Sequence, residues 1–375
     1  KCCTVMGKRR FFQQLVHPTT NKTWLEKEYE LTDVLLENEE YVQESRCFLE
    51  KIKDIERLSR QIVSRKIYPS SIYQLYQSLL ETQELWKYLS KNETIRAYVE
   101  DNETYKLSEA CQEVMSYIDK EIVLEKCRSQ NSMTQFEDNI FQRDVNKSLD
   151  ECIDLLVESE KTLNTIHILL NAAMKKQDGK PNSQTEYIHI HETEKMGKSL
   201  QMTKKRGALL KTYIEKTGAK PFVGVKNTKW TDIQLSTSAT GSEQKVTFPI
   251  LDETLRNLFY LKDKINGLVA TSYLSLLTTL ESTFYGHLES IADYVAKIDV
   301  IINKAYIASK YHYCRPIIDS SAQKSYVNVV GLRHPLIEHL QKNELYVSND
   351  MTIGKGGYDG ILLYGTNAVG KTSFI

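Results

Sequence analysis

The residues Gly365-Thr366-Asn367-Ala368-Val369-Gly370-Lys371-Thr372 satisfy the spacing G-x-x-x-x-G-K-[ST], which is that of a phosphate-binding loop. The chemistry needs this order. Glycines let the backbone curl until successive N–H groups point inward at phosphate oxygens, and a helix starting at the lysine adds its N-terminal dipole. Lys371 would neutralise the β- and γ-phosphates, and the Thr372 hydroxyl, with Ser373 beside it, would sit at a Mg²⁺ ion. The apolar run Gly360-Ile361-Leu362-Leu363-Tyr364 leads directly into Gly365 and reads as the buried strand that such a loop requires. These features predict an ATP and Mg²⁺ site. The acid that would complete the metal site is expected beyond Ile375, so this stretch alone is expected to be inactive as an ATPase.

A second chemical feature is a run of cations. Lys195, Lys198, Lys204, Lys205, Arg206, Lys211, Lys216, Lys220, Lys226 and Lys229 stand against one acid, Glu215. The whole chain balances 49 Lys+Arg against 49 Asp+Glu, so nothing global favours nucleic acid and the local asymmetry has to carry the argument. Phosphate-tracking surfaces are built from such residues, and Lys195, Lys198, Lys204, Lys205, Arg206 and Lys211 are the candidate contacts to a DNA backbone. A solvated face of a small module would look the same. The histidines make no comparable cluster. His189 and His191 alternate along a strand without a third ligand at metal spacing.

These groups need long supports. The chain has 375 residues, 41% of them hydrophobic and 26% charged, with only 7 Pro and 16 Gly. That composition excludes disorder and argues for long helices over a turn-punctuated β fold. Phe284, Leu288, Ile291, Val295, Ile298 and Ile302 recur at spacings of four and three, the seam of a helix packed lengthwise on another. A helix of about 30 residues would reach about 45 Å. Residues 30–176 are also helical in pattern. Alternation at Tyr187–His191, Trp230–Leu235 and Lys245–Phe248 predicts strands of a small inserted module, and Tyr326–Val330 predicts another after Pro316.

Seven scattered cysteines without C-x-x-C spacing argue against a disulfide framework or zinc site and fit a reducing intracellular compartment. No stretch reaches the roughly 18 apolar residues of a membrane span. A chain opening on Lys1-Cys2-Cys3 without Met reads as an internal segment of a longer protein.

Five stretches together resemble the MutS family of DNA mismatch-repair ATPases. Thr4-Val5-Met6-Gly7-Lys8-Arg9, followed by His17-Pro18, resembles the family's T-P-M-G-x-R opening. Tyr313-Cys314-Arg315-Pro316 resembles Y-x-R-P. Arg333-His334-Pro335-Leu336-Ile337-Glu338 resembles R-H-P-[LV]-[VI]-E, Tyr346-Val347-Ser348-Asn349-Asp350 resembles F-V-P-N-D, and the phosphate loop resembles G-P-N-M-x-G-K-[ST]. Val5, Ser348, Thr366, Ala368 and Val369 depart from the usual residues and suggest a divergent branch, of viral or organellar type.

The resemblance implies a multidomain, mainly α protein with long lever helices. Residues 1–185 would form the helical core and outgoing lever, and 186–250 a small mixed-β clamp on the backbone of double-stranded DNA. Residues 251–320 would be the returning lever, and 321–375 the start of an α/β P-loop ATPase domain. Tyr346 and Val347 would contact adenine. A second MutS-type subunit would complete a dimer through regions outside this stretch. Two other readings compete: a coiled-coil ATPase of chromosome-organising type, disfavoured because its phosphate loop precedes the coiled coil, and a helical scaffold with a vestigial nucleotide site.

Overall fold

The structure is a computed structural model. It describes residues 1–375 except 101–106, 137, 183, 194–196, 226, 238–242, 341–345, 355, 357–358, 367–369 and 375, and except the side chains at 99, 100, 339 and 373. In chain order the helical body runs α1 (Val5–Val16), α2 (Lys22–Glu37), α3 (Glu39–Lys51), α4 (Ile55–Val63), α5 (Pro69–Leu89), α6 (Glu93–Glu100), α7 (Leu107–Glu121), α8 (Leu124–Cys127) and α9 (Lys147–Gln177). A module follows, with β1 (His189–Thr193), β2 (Gly197–Thr203), α10 (Lys204–Thr217), β3 (Gln234–Thr237) and β4 (Glu243–Thr247). Then come α11 (Pro249–Tyr311), β5 (Val327–Leu332), α12 (Pro335–Leu340), β6 (Asn349–Ile353) and α13 (Lys371–Phe374). The chain divides into two compact units: Lys1–Pro18 with Glu30–His312, and Thr19–Tyr29 with Tyr313–Ile375.

The first unit is organised by α11, 63 residues in one unbroken helix, or about 95 Å at 1.5 Å per residue. That is twice the length expected from the 284–302 seam, because the periodicity before Phe284 continues the same helix. Leu288, Ile291, Val295, Ile298 and Ile302 are buried as the spacing predicts, and half-buried Phe284 meets Tyr117 with ring centroids 5.2 Å apart. Pro249 stands in the first turn, where a missing N–H costs nothing. At the other end His312 takes a left-handed φ of +52° as the C-cap.

Short local signals start the other helices. Asp54 accepts from Arg57 N–H at 3.1 Å to cap α4, whose Ile55, Leu58 and Ile62 all point into the core. Asn146 caps α9 by accepting from Leu149 N–H at 3.2 Å. The main core combines α3, α5, α7 and the Val269–Ala305 stretch of α11. A second core gathers the Leu163–Met174 stretch of α9, the module and the first turns of α11.

The module is a four-stranded antiparallel sheet in the order β1-β2-β4-β3. Leu200 and Met202 of β2 and Val246 of β4 face its core, where Leu210 of α10 meets them. Two sequence expectations are corrected here. Trp230–Asp232 forms a 3₁₀ turn and the strand begins only at Gln234. Asp232 accepts from Lys229 N–H at 2.8 Å, and Trp230 is buried against Phe222 at 4.4 Å, so the indole anchors a turn. The strand expected at Tyr187–His191 begins at His189, because Tyr187 and Ile188 bond to a side chain of α9.

In the second unit β5 and β6 pair antiparallel, with Val327 opposite Ile353 and Val329 opposite Met351. The buried strand expected at Ile361–Tyr364 is not formed. These residues have no strand assignment, and Leu362 and Tyr364 are 86% and 85% exposed. A central strand exists only through its neighbours, and the β5–β6 pair does not extend to this segment. Among the described residues no helix is long and apolar enough to cross a membrane.

Candidate functional site

Four of the motif stretches have clear structural work. In the opening motif Thr4 caps α1, its hydroxyl oxygen accepting from Gly7 N–H at 2.9 Å. The carboxylate of Asp299, fully buried on α11, accepts from Cys3 N–H at 2.9 Å and from both the N–H and hydroxyl of Thr4 at 2.7 Å. A Cβ on Gly7 would lie 2.1 Å from Asp299 Oδ2, so glycine is what allows α1 this close to α11. Arg9 then forks onto Asp54 with two bonds of 2.8 Å. Burial pushes the Asp54 carboxyl upward, but the Arg9 and Arg57 donors outweigh it and hold the group below its ordinary range. The motif is a joint between α1, α4 and α11.

In Arg333–Glu338 the arginine and glutamate pair at 2.7 Å, Pro335 opens α12, and His334 Nδ1 accepts from Ile337 N–H at 3.3 Å. Gly331, at φ +68°, donates its N–H to Asp350 Oδ1 at 2.7 Å, which ties the R-H-P stretch to V-S-N-D across β5–β6. Arg315 pairs with Glu26 and lies 5.8 Å over the Tyr29 ring. That contact brings residues 19–29 into the second unit, which no motif foreshadows. Tyr346 is half-buried and Val347 is 78% exposed.

Of the phosphate-loop residues, Asn367, Ala368 and Val369 lie outside the described residues, and so does the side chain of Ser373. Gly370 takes a φ of +87°, a conformation favouring glycine. α13 begins at Lys371, and Phe374 N–H bonds to Gly370 O at 3.2 Å. Lys371 Nζ turns back along the chain, donating to Gly365 O at 2.7 Å and to Thr366 O. The Thr372 side chain is exposed. The Lys371 ammonium is thus engaged by backbone carbonyls of the chain itself, and the exposed Thr372 hydroxyl stands one residue on in the same turn of α13; an ammonium and a hydroxyl are the group types a nucleotide phosphate and its metal ion would need.

The basic run resolves into two populations. On α10, at about 100° per residue, Lys204, Lys205 and Lys211 fall on the exposed side, and Lys216, absent from the candidate set, flanks them. The first turn of α10 holds no acid. Lys198 is only 21% exposed, with Glu160 at 3.8 Å. Arg206 is half-buried and donates to Tyr187 O and His189 Nε2 at 3.3 and 3.2 Å. Lys195 lies outside the described residues. The helix itself is not among the expectations drawn from the sequence. Its apolar positions, Leu209, Leu210, Tyr213 and Ile214, are i,i+3,i+4 neighbours that would have revealed it.

The fold defines the class, a mainly helical protein with a small antiparallel sheet, an exposed basic helix face in the first unit and a phosphate-loop sequence in the second. The comparisons make this specific. Residues 1–305 match the family model for MutS domain III, and the chain belongs to the MutS family. It is 24% identical to a putative DNA mismatch repair protein, a mutS homologue of Acanthamoeba polyphaga mimivirus, over 94% of this chain and 32% of that protein. It is 22% identical to the DNA mismatch repair protein MutS of Petrotoga mobilis, over 99% of this chain and 40% of the relative. For MutS of Clostridioides difficile the figures are 23%, 100% and 35%. The chain thus spans about a third to two fifths of the length of these relatives. Family membership sets aside the chromosome-organising alternative.

Proposed function

We propose that the intact protein is an ATP-dependent DNA clamp acting on mismatched or otherwise distorted duplexes. Residues 186–250 hold the DNA backbone, and α11 connects that module to the nucleotide unit. The observation that carries this reading is the exposed lysine face of α10, on a module that folds back onto the two longest helices, in a chain of MutS descent. Lysine is a compact point charge and reads no base edge. Lys204, Lys205 and Lys211 therefore grip phosphates, and whatever distinguishes a mismatch acts elsewhere. In the nucleotide unit Lys371 carries the phosphate-facing charge, Thr372 supplies a metal-ligating hydroxyl, and Tyr346 and Val347 pack beside adenine. Bound ATP and Mg²⁺ supply the phosphoryl chemistry. A second subunit of the same type closes the ring around DNA.

The test has two arms on the full-length protein. Each neutralised phosphate contributes about 0.9 to the slope of log K against log[salt], so Ala at Lys204, Lys205 and Lys211 together should shallow that slope by up to about 3, equally on matched and mismatched duplexes. An unchanged slope would refute the phosphate grip. Lys371→Ala should abolish ATP hydrolysis; hydrolysis at the parental rate would restore the vestigial-site reading.

A further inference from the structure

The tripeptide Lys204-Lys205-Arg206 looks like one basic cluster, but a helix separates its members. Successive residues point about 100° apart, so Arg206 faces about 160° away from Lys204, while Lys211, seven residues on, returns to within about 20° of it. The structure realises this split. Lys204, Lys205 and Lys211 are exposed, whereas Arg206 turns toward the peptide segment that feeds β1. Its guanidinium donates to Tyr187 O at 3.3 Å and to His189 Nε2 at 3.2 Å, and lies 5.2 Å from the centre of the Tyr187 ring.

That segment is itself fastened to α9. Buried Asn171 accepts from the N–H groups of Tyr187 at 2.7 Å and Ile188 at 3.1 Å, and donates to Ile188 O at 3.2 Å. One amide thus stands in for a neighbouring strand. His167 Nε2 bonds the same Ile188 carbonyl at 2.8 Å, and the Tyr187 hydroxyl donates to Asp178 at 2.7 Å. The next residue, Gly207, seats the other side of the first helical turn against the sheet: a Cβ there would come within 1.9 Å of Gln244 Oε1 and 3.5 Å of the Leu235 side chain.

We propose that Arg206 is a positioning residue. It bolts the first turn of α10 to the Tyr187–His189 strap, and through Asn171 and His167 to α9, so that Lys204, Lys205 and Lys211 meet DNA phosphates already oriented. The inference rests on the DNA-clamp reading and narrows it, dividing the cations into those that touch the ligand and one that holds them in place. Pre-orientation spares the complex the cost of ordering these long side chains at the moment of binding.

The experiment is a salt titration of DNA binding by the full-length protein, comparing Lys204→Ala, Arg206→Ala and Arg206→Lys with the parent. Lys204→Ala should shallow the slope by about 0.9. Arg206→Ala should weaken binding at fixed salt by roughly three- to tenfold, the cost of re-ordering the helix start, with the slope unchanged. Arg206→Lys keeps the charge but loses the guanidinium plane beside the Tyr187 ring and the reach of Nη1 to both acceptors, and should also bind more weakly at the parental slope. If Arg206→Ala shallows the slope as Lys204→Ala does, or if Arg206→Lys binds like the parent, Arg206 is a phosphate contact and the inference fails while the clamp reading stands. If Lys204→Ala leaves the slope unchanged, the clamp grip itself fails. Should Arg206→Ala not fold, Arg206→Met, which keeps the stem over the Tyr187 ring and removes only the donors, carries the same comparison.

Discussion

Two short motifs of similar specificity end in opposite physical states. Thr4–Arg9 is locked: its cap, its glycine and its arginine all close onto buried or half-buried partners in α4 and α11. The phosphate-loop stretch is open, with Leu362 and Tyr364 almost fully exposed ahead of it and, among its described residues, Gly370 and Lys371 bonding locally at the start of α13. The first motif does packing, so its residues make sense only beside Asp54 and Asp299. The second is the stretch proposed for ligand chemistry; its Lys371 ammonium bonds backbone carbonyls and its Thr372 side chain is exposed. Specific spelling in a sequence therefore signals constraint without saying whether the constraint is a neighbour or a ligand.

The comparison can be broken in four ways. The largest effect is expected at Asp299. Replacing it with Ala leaves two N–H groups and a hydroxyl without an acceptor in a buried joint, which should cost about 3 kcal/mol or more. Urea unfolding should show a lowered midpoint with an unchanged slope; a parental midpoint would mean the joint is not a fixed point.

Gly7→Ala comes next. Its Cβ meets a carboxylate held by three hydrogen bonds, and such overpacking costs about 1–3 kcal/mol. Combined with Asp299→Ala the carboxylate part of the clash is removed and only the residue-299 Cβ at 2.8 Å remains, so the double variant should be less destabilised than the sum of the singles. Strict additivity would contradict the close approach.

A smaller effect is expected from acid. The Asp54 carboxyl is depressed in the folded state, so its contribution is complete above the unfolded value near 3.8 and is lost as pH falls through the lower folded one. Asp54→Asn should remove that part of the acid dependence. Stability profiles of parent and variant that stay parallel below pH 4 would show that Arg9 does not hold the charged form.

The smallest effect belongs to the open stretch. Leu362→Asn should change the stability of the 375-residue chain by no more than about 0.5 kcal/mol, as at other exposed positions. A larger loss would show that this segment packs, and would close the gap between the two motifs.

Much of this was legible beforehand, for identifiable reasons. The 4–3 spacing of Leu288, Ile291, Val295, Ile298 and Ile302 foretold their burial, because a helix long enough to pack lengthwise must repeat its apolar residues at its own period. The strand near 327 and the inserted module followed from alternation in the same way. The α10 helix was obscured by its lysines, which drew attention to charge and away from the apolar spacing at Leu209–Ile214. Alternation does not distinguish a strand from a turn pinned by one buried indole, so it predicts a strand where Trp230 forms a turn.

The sequence by itself determined the periodicities, the caps and the order of motifs, since these depend on residues three or four apart whose geometry the backbone dictates. Only the tertiary structure decided which charges are free. Lys204 and Arg206 are two positions apart and chemically alike, yet one meets solvent and the other meets a strap anchored 35 residues upstream at Asn171. It also decided that Asp299 closes a joint 295 residues away in the chain at Thr4. Such pairings are set by how helices and sheet pack against one another, and no local spacing records them.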